Sequence, residues 1–329
     1  MLKLSILPAL LFSGFLVTTG CGDEEAPTEV LNTDPIVGAM ELPISLRNDM
    51  ADVGGAAEIE VAPRELRLDH RKLLDLSSGS LPEGAVADGQ VTSLGEALRA
   101  AGNRPVSLKM HFLIPFDTFA ALVATVQQTG VEEISIEVRR SQGIETGFLT
   151  ARFHSGEEGF EFPESYRLPW DAVRGAWPGM KAACEVSQAM DCDGTPANIA
   201  EGGFAEMSLW ARGRGLRLHF EQTDAPEPEP TGGAGPALIE GIPAPVVAEE
   251  PPPPPAASDA TFSWRFQGAV QAPSPIGATV EQVCADRRCG VRLTADSGTA
   301  AGRLVSLLGA AFPNGRPAPY VHVVTPTER

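Results

Sequence analysis

The sequence predicts a mixed α+β fold made of two small two-layer domains of ββαβαβ type, each a mixed sheet with two helices on one face. Three observations carry this expectation. Residues 105–138, PVSLKMHFLIPFDTFAALVATVQQTGVEEISIEV, read as strand, helix, strand. A hairpin pattern and a short helical pattern precede them, and the strand-helix-strand pattern recurs 185 residues later.

Within 105–138, Val106, Leu108 and Met110 alternate as in a strand with one buried face, and Ile134, Ile136 and Val138 do the same. Between them Phe119, Leu122, Val123 and Val126 fall at i, i+3, i+4 and i+7, which makes one apolar stripe on a helix. Pro115 suits the first helical turn, and Gly130 suits the left-handed position that ends it. Parallel strands joined by such a helix imply a right-handed crossover.

Upstream, GAMELPISL (38–46) reads as an edge strand or a docking segment. A hairpin follows, with alternation at Glu58 to Val61, a turn at Ala62 to Glu65 and a returning strand at Leu66 to Leu68. Ser93 is placed to cap a helix buried through Leu94, Ala97, Leu98 and Ala101, which Gly102-Asn103 would stop. The first domain is therefore expected over 36–140.

Residues 141–203 read as a β-rich and loop-rich connection. GFLTARF and GFEF suggest a hairpin, RLPWDAV a short helix, and MDCDGTPANIAEGG a loop. Asp191-Cys192-Asp193-Gly194 invites a calcium-loop reading, but the third acid and the distal Glu of an EF-hand are out of register, so a capped turn is expected and no metal. AEMSLWARGRGLRLHFEQ (205–222) reads as a second hairpin, aligned with Ala57-Glu58 on Ala205-Glu206 and Arg64–Leu68 on Arg214–Leu218, with two residues inserted in its turn. Residues 223–259, rich in Pro and Glu with few large apolar side chains, cannot offset their ordering entropy and read as a disordered insertion. The second domain is expected over 204–222 and 260–329.

A shift of 185 lays LGEALRAAGNRPVSLKM on TVEQVCADRRCGVRLTA without a gap. Val106 meets Val291, Leu122 meets Leu307 and Gly130 meets Gly315. Leu304, Leu307, Leu308 and Ala311 repeat the helical stripe, Thr299 is placed to cap it, and YVHVV returns as the closing strand.

The charge of −18 is concentrated in two tracts. Residues 22–34 hold five acids and 223–259 hold seven, with no base in either. No basic patch is present, which argues against nucleic-acid binding, since that needs concentrated cations to displace counterions.

MLKLSILPALLFSGFLVTTGC reads as an export signal over 1–20, with an apolar run from Leu4 to Val17 and small residues before Cys21. The run is shorter than the roughly 20 apolar residues that a spanning helix needs. Residues 21–35 form an acidic tether. The other four cysteines suit an oxidising compartment, with Cys184 to Cys192 and Cys284 to Cys289 favoured as local disulfides over a metal site.

Two resemblances follow from these residues. Gly20-Cys21 resembles the lipobox of bacterial lipoproteins, with Thr18 where that pattern prefers Leu or Val. It implies a lipid anchor on Cys21 in the Gram-negative envelope, facing the periplasm, and Gly22 after the cysteine favours the outer membrane. The two modules resemble the periplasmic domain of the ExbD/TolR family. Leu94, Leu98, Val106, Leu108, Pro115-Phe116, Phe119, Leu122, Val123, Gly130 and Ile136 match in the first copy, with His111 in place of the family's Asp. Val291, Leu293, Ala295-Asp296, Leu304, Leu307 and Gly315 match in the second, with Ala300-Ala301 in place of Pro-Tyr.

The resemblance implies a non-enzymatic scaffold or binding role, with ExbB/TolQ-like or TonB-like envelope proteins or peptidoglycan as partners, and it leaves a homodimer open. It does not extend to proton coupling, because the family's transmembrane Asp has no counterpart before Cys21. A surface or solute-binding lipoprotein is the alternative. The five histidines, His70, His111, His154, His219 and His322, are scattered, and no GxSxG, HExxH or phosphate-loop pattern occurs, so no catalytic residue, metal or cofactor is expected.

Overall fold

Alternating apolar residues in successive segments build one mixed sheet in the computed structural model, with helices against its apolar face. The structure describes residues 40–49, 54–102, 104–140, 145–156, 160–186, 191–194, 202–212, 215–223, 261–267, 273–284 and 286–324, with only the backbone described at 183–186, 191–194, 212, 261–267 and 273–275. The expected signal, Cys21, the acidic tether and the Pro/Glu-rich insertion lie outside the described residues.

The strands are β1 (Ile44–Ser45), β2 (Ala57–Ala62), β3 (Glu65–Leu68), β4 (Arg71–Asp75), β5 (Val86–Ala87), β6 (Gln90–Val91), β7 (Val106–Met110), β8 (Glu133–Arg140), β9 (Thr146–Ser155), β10 (Leu168–Pro169), β11 (Asp191–Gly194), β12 (Phe204–Arg212), β13 (Gly215–Thr223), β14 (Thr261–Gln267), β15 (Gly290–Ala295) and β16 (Tyr320–Val324). The helices are α1 (Thr92–Ala101), α2 (Phe116–Gln127), α3 (Trp170–Val186), α4 (Pro273–Cys284) and α5 (Ala301–Ala311).

The main sheet runs β11-β14-β13-β12-β15-β16-β9-β8-β7-β2-β3-β4. Outward from β9 the order is the same on both sides: β8, β7, β2, β3, β4 on one, and β16, β15, β12, β13, β14 on the other. In each half the first strand lies parallel to the one after the first helix, which lies parallel to the last. Because β9 is antiparallel to β8 and parallel to β16, the two halves run in opposite directions.

The mixed α+β class is as expected, but the two separate sheets are one. GFLTARF belongs to β9, which bonds on both sides and buries Leu149, Ala151 and Phe153. Its period-2 pattern marks a strand without saying which strands flank it. GFEF does not pair with it. The short helix expected at RLPWDAV is the 17-residue α3, carried past Pro178 by the burial of Trp170, Val173 and Met180. Asp191–Gly194, expected as loop, is an edge strand on β14.

The hairpin alignment also changes. Ile59 pairs with Leu68 and Leu209 with Leu218, while Ala62 pairs with Glu65 and Arg212 with Gly215. The hairpins therefore correspond at a constant shift of 150, with no insertion in the turn. Ala57 answers to Met207. A two-residue slip keeps every side chain on its own face, so alternation cannot detect it; pairing with β7 and β15 decides it.

Each half also carries a third strand, β4 or β14, that the hairpin pattern did not reveal. In the first half β3 turns into β4 through Asp69 and His70, both at positive φ (46° and 64°), a turn of the type that matches strand twist. In the second half the corresponding hairpin is where residues 224–260 are inserted.

On the helix side the sheet is apolar. Ile59, Val61, Leu108, Met110, Ile136, Val138, Leu293 and Val323 are almost fully buried, against Phe116, Phe119 and Leu122 of α2 and Leu304, Leu307 and Leu308 of α5. At about 1.5–3 kcal/mol for each large side chain buried, this layer is the main source of stability. On the other face Lys109 meets Glu137 at 3.4 Å and Arg292 meets Glu206 at 2.8 Å. The Lys109 pair is part-exposed and such pairs contribute about 0–1 kcal/mol, so this part of the face adds little cohesion.

The segment read as an edge strand or docking segment does both. Ile44 and Ser45 extend β8 in parallel, and Arg47 donates to the carbonyls of Phe312 and Arg316 at 3.2 and 3.1 Å. Asn48 N–H donates to Asn314 Oδ1 at 2.7 Å. The strap thus crosses from the first half to the second.

Candidate site at the junction of the two halves

The loops that lead into α2 and α5 meet. Pro115 and Ala300, 185 positions apart, face each other in an antiparallel bridge. Phe116 N–H donates to the Thr299 carbonyl at 2.8 Å, and Ala301 N–H donates to the Ile114 carbonyl at 2.7 Å. Each bond is the image of the other under the 185 shift, the signature of a local two-fold relation. Gly302 N–H adds a bond to the Phe112 carbonyl at 3.1 Å.

The first N–H groups of a helix have no partner inside it and normally need a cap. Here neither helix has a side-chain cap. Instead the loop of the opposite half satisfies the first N–H of α2 and the first two of α5, so each half contributes to capping the other. Thr299, expected to cap with its hydroxyl, contributes its carbonyl to the other half. The expected Ser93 cap is also absent: Ser93 lies inside α1 with its hydroxyl buried and unpaired.

Four residues that the sequence singles out, His111, Pro115, Phe116 and Asp296, lie in or next to these loops. Pro115 and Phe116 form the bridge, Phe116 fully buried. His111 and Asp296 end β7 and β15, and their N–H groups donate to Val61 and Ala211 carbonyls at 2.9 and 3.2 Å. His111 Nδ1 accepts the Leu113 N–H at 3.1 Å, the contact to a backbone two residues on that an Asp or Asn side chain often makes.

Gly130 and Gly315 are not part of the junction. They sit beyond the far ends of α2 and α5 at φ 83° and 84°, left-handed positions that favour glycine. Cys284 and Cys289 are bonded, with S–S 2.14 Å, tying the end of α4 to the start of β15. Cys184 lies in the last turn of α3 and Cys192 in β11, where only the backbone is described.

Beside the junction, a groove of about 1030 Å³ runs along α2 from Asp117 to Gln128. Its floor is Ala120, Ala121 and Ala124, its outer wall the β5-β6 hairpin, and Ser297-Gly298 of the second half closes one end. Among the described residues no Lys, Arg or aromatic side chain lines it, while Asp88 and Asp117 do. Its chemistry suits neutral or cationic polar groups rather than anions.

At the other end of this groove, Gln127 links it to a cluster on the opposite sheet face. Ser155 N–H donates to Gln127 Oε1 at 2.8 Å, and Gln127 Nε2 meets His154 Nδ1 at 2.6 Å. His154 lies beside His322 on adjacent strands, ring centroids 5.5 Å apart, with Phe160 stacked on His154 at 4.0 Å and 4.8 Å from His322. Phe162 rests on Gly290, where a Cβ would come within 2.4 Å of its ring.

His322 is fully buried and neither ring nitrogen makes a hydrogen bond of proper geometry. Burial, then the Arg292 charge and His154, push its pKa down to about 4, against slight support from the Gly156 backbone. Burial also lowers that of His154, which Glu132 opposes, and raises that of Glu206, which Arg292 opposes.

Nothing along the chain joins His154 to His322 as one site. One signal was available: in YVHVV the valines flanking His322 face the core, which puts the histidine on the opposite face. No pattern along the chain shows that His154 lies in register with it. The comparisons agree in one respect: no protein family, curated protein or solved structure matches this chain.

Proposed function

We propose that this chain is an exported, lipid-anchored envelope protein of Gram-negative type, acting as a non-enzymatic scaffold or binding module whose two ExbD/TolR-like halves pair within one polypeptide. The observation that carries this reading is the reciprocal capping at Pro115 and Ala300. Two modules with the same strand order bond through equivalent atoms, as subunits of a two-fold dimer do. Fusing them removes the entropy cost of bringing two chains together and leaves each half free to diverge.

The partners proposed are ExbB/TolQ-like or TonB-like envelope proteins, or peptidoglycan. Mild cross-linking in envelopes followed by affinity purification should recover one of them, and labelled palmitate should enter the wild type but not Cys21→Ser. Recovery of none of these partners, with unlabelled wild-type protein, refutes the proposal. A second reading, a solute-binding lipoprotein, is favoured by the α2 groove. A thermal shift with a small polar solute, lost on Asp117→Asn, would select it.

A further inference from the structure

We propose that His154 and His322 form an acid-sensitive latch, in which proton uptake from solvent unseats the Phe160–Phe162 segment from the sheet and turns the Gln127 amide at the end of the α2 groove. The latch works whichever partner the protein binds.

Hydrogen-bond polarity sets the resting state of His154. Ser155 N–H can only donate, so the group it meets at 2.8 Å is the Gln127 oxygen, and the amide nitrogen is what faces His154 Nδ1 at 2.6 Å. Nδ1 therefore accepts, and His154 is neutral with its proton on Nε2. Protonating Nδ1 would set two donors against each other. Relief requires the Gln127 amide to rotate, which costs the Ser155 bond.

His322 is held neutral differently. It is fully buried, neither ring nitrogen makes a hydrogen bond of proper geometry, with the Gly156 backbone giving slight support to the charged form, and Phe160 and Phe162 cover it at centroid distances of 4.8 and 6.5 Å. Among the described residues, the groups around it do not welcome a cation. Arg292 flanks it on β15, paired with Glu206 at 2.8 Å, and His154 flanks it on β9. Arg152 and Tyr320 occupy the next row, and Arg288 lies over Tyr166 at 5.8 Å. Glu161 beside the aromatic pair is exposed. Glu132 favours a charge on His154, but it also pairs with Arg152 at 3.7 Å.

A charged His154 would gain from the face of Phe160. That attraction is set against two facing donors and a second cation 5.5 Å away. Phe160 stacks on one histidine and covers the other, so charging either ring disturbs the same aromatic seat. Through Gln127, Ser155 and Gly156, which line the groove, the change reaches the helix face.

The test uses the full-length protein. Histidine-selective NMR gives the two titrations, and hydrogen exchange, corrected for intrinsic rates, is compared at about pH 7 and about pH 4.5, on either side of the ordinary imidazole range. Both histidines are expected to titrate below their ordinary value. Protection of 153–156, 160–166 and 320–324 should fall at least about tenfold at the lower pH while β2 and β3 stay protected. His322→Phe and Gln127→Glu, which gives Nδ1–H an acceptor, should each blunt the response. A uniform loss of protection, an unchanged segment, or either variant responding like the wild type overturns the proposal. If His322→Phe does not fold, a wild-type His322 titrating at or above its ordinary value overturns it equally.

Discussion

Replacing Gly302 by Ala adds one methyl group where α5 leaves the junction, and the surrounding contacts set its cost. The new Cβ would lie 2.5 Å from Phe112 Cδ2, 2.6 Å from its carbonyl oxygen and 2.7 Å from its Cα. Two of those atoms are backbone. Phe112 is held by its bond to Gly302 and by its own N–H to the Glu41 carbonyl at 2.6 Å, so it cannot withdraw cheaply. Overpacking of this kind costs about 1–3 kcal/mol, and weakening the 3.1 Å bond adds about 1 kcal/mol. Against this, Ala is favoured over Gly inside a helix by about 1 kcal/mol.

The net expectation is a loss of about 1–3 kcal/mol. Gly175→Ala in α3 supplies the contrast, because nothing lies within 4 Å of its Cβ, and a gain of about 0.5–1 kcal/mol is expected. Thermal and urea unfolding followed by circular dichroism should separate the two variants by about 4 °C or more. If Gly302→Ala is as stable as Gly175→Ala, the halves do not meet as described and the reciprocal capping is wrong.

Other perturbations test other links. Reducing Cys284–Cys289 opens a short loop, and loop entropy predicts a loss of about 2 kcal/mol, read as a shift in the urea midpoint with and without reductant. Arg47→Ala removes the donor to two carbonyls of the second half and should cost about 2–3 kcal/mol by the same assay; a change below about 0.5 kcal/mol would mean that the strap is ornamental. His322 makes stability depend on pH. Its folded pKa, about 4, lies below the ordinary 6.5, so its contribution is complete above that ordinary value and is lost as pH falls toward 4. The loss is at most about 3 kcal/mol, and His322→Phe should flatten that part of the stability profile. His70→Gly should raise stability by up to about 1 kcal/mol, because His70 holds φ 64° and its bond to Glu60 is exposed; an unchanged midpoint would mean that the bond offsets the strain.

The sequence by itself determined the local elements of the repeated module and which residues of each face the core. Periods of 2 and 3.6 place Val106, Leu108 and Met110 on one strand face and Phe119, Leu122, Val123 and Val126 on one helix stripe, whatever surrounds them. Gly130 and Gly315 mark helix ends because only glycine takes left-handed φ without cost. The five-residue spacing of Cys284 and Cys289 already favoured a local bond.

Tertiary structure alone decided how those pieces join. Alternation is blind to a two-residue slip, so the register of β12 follows from β15. It is also blind to a strand's neighbours, so β9 could be read as half of a hairpin when it is the seam of the sheet. The capping of α2 and α5 by each other's loops, and the pairing of His154 with His322, involve residues 168 to 190 positions apart. Hydrogen-bond polarity and burial give those residues their roles, and both depend on what the fold brings within a few ångströms.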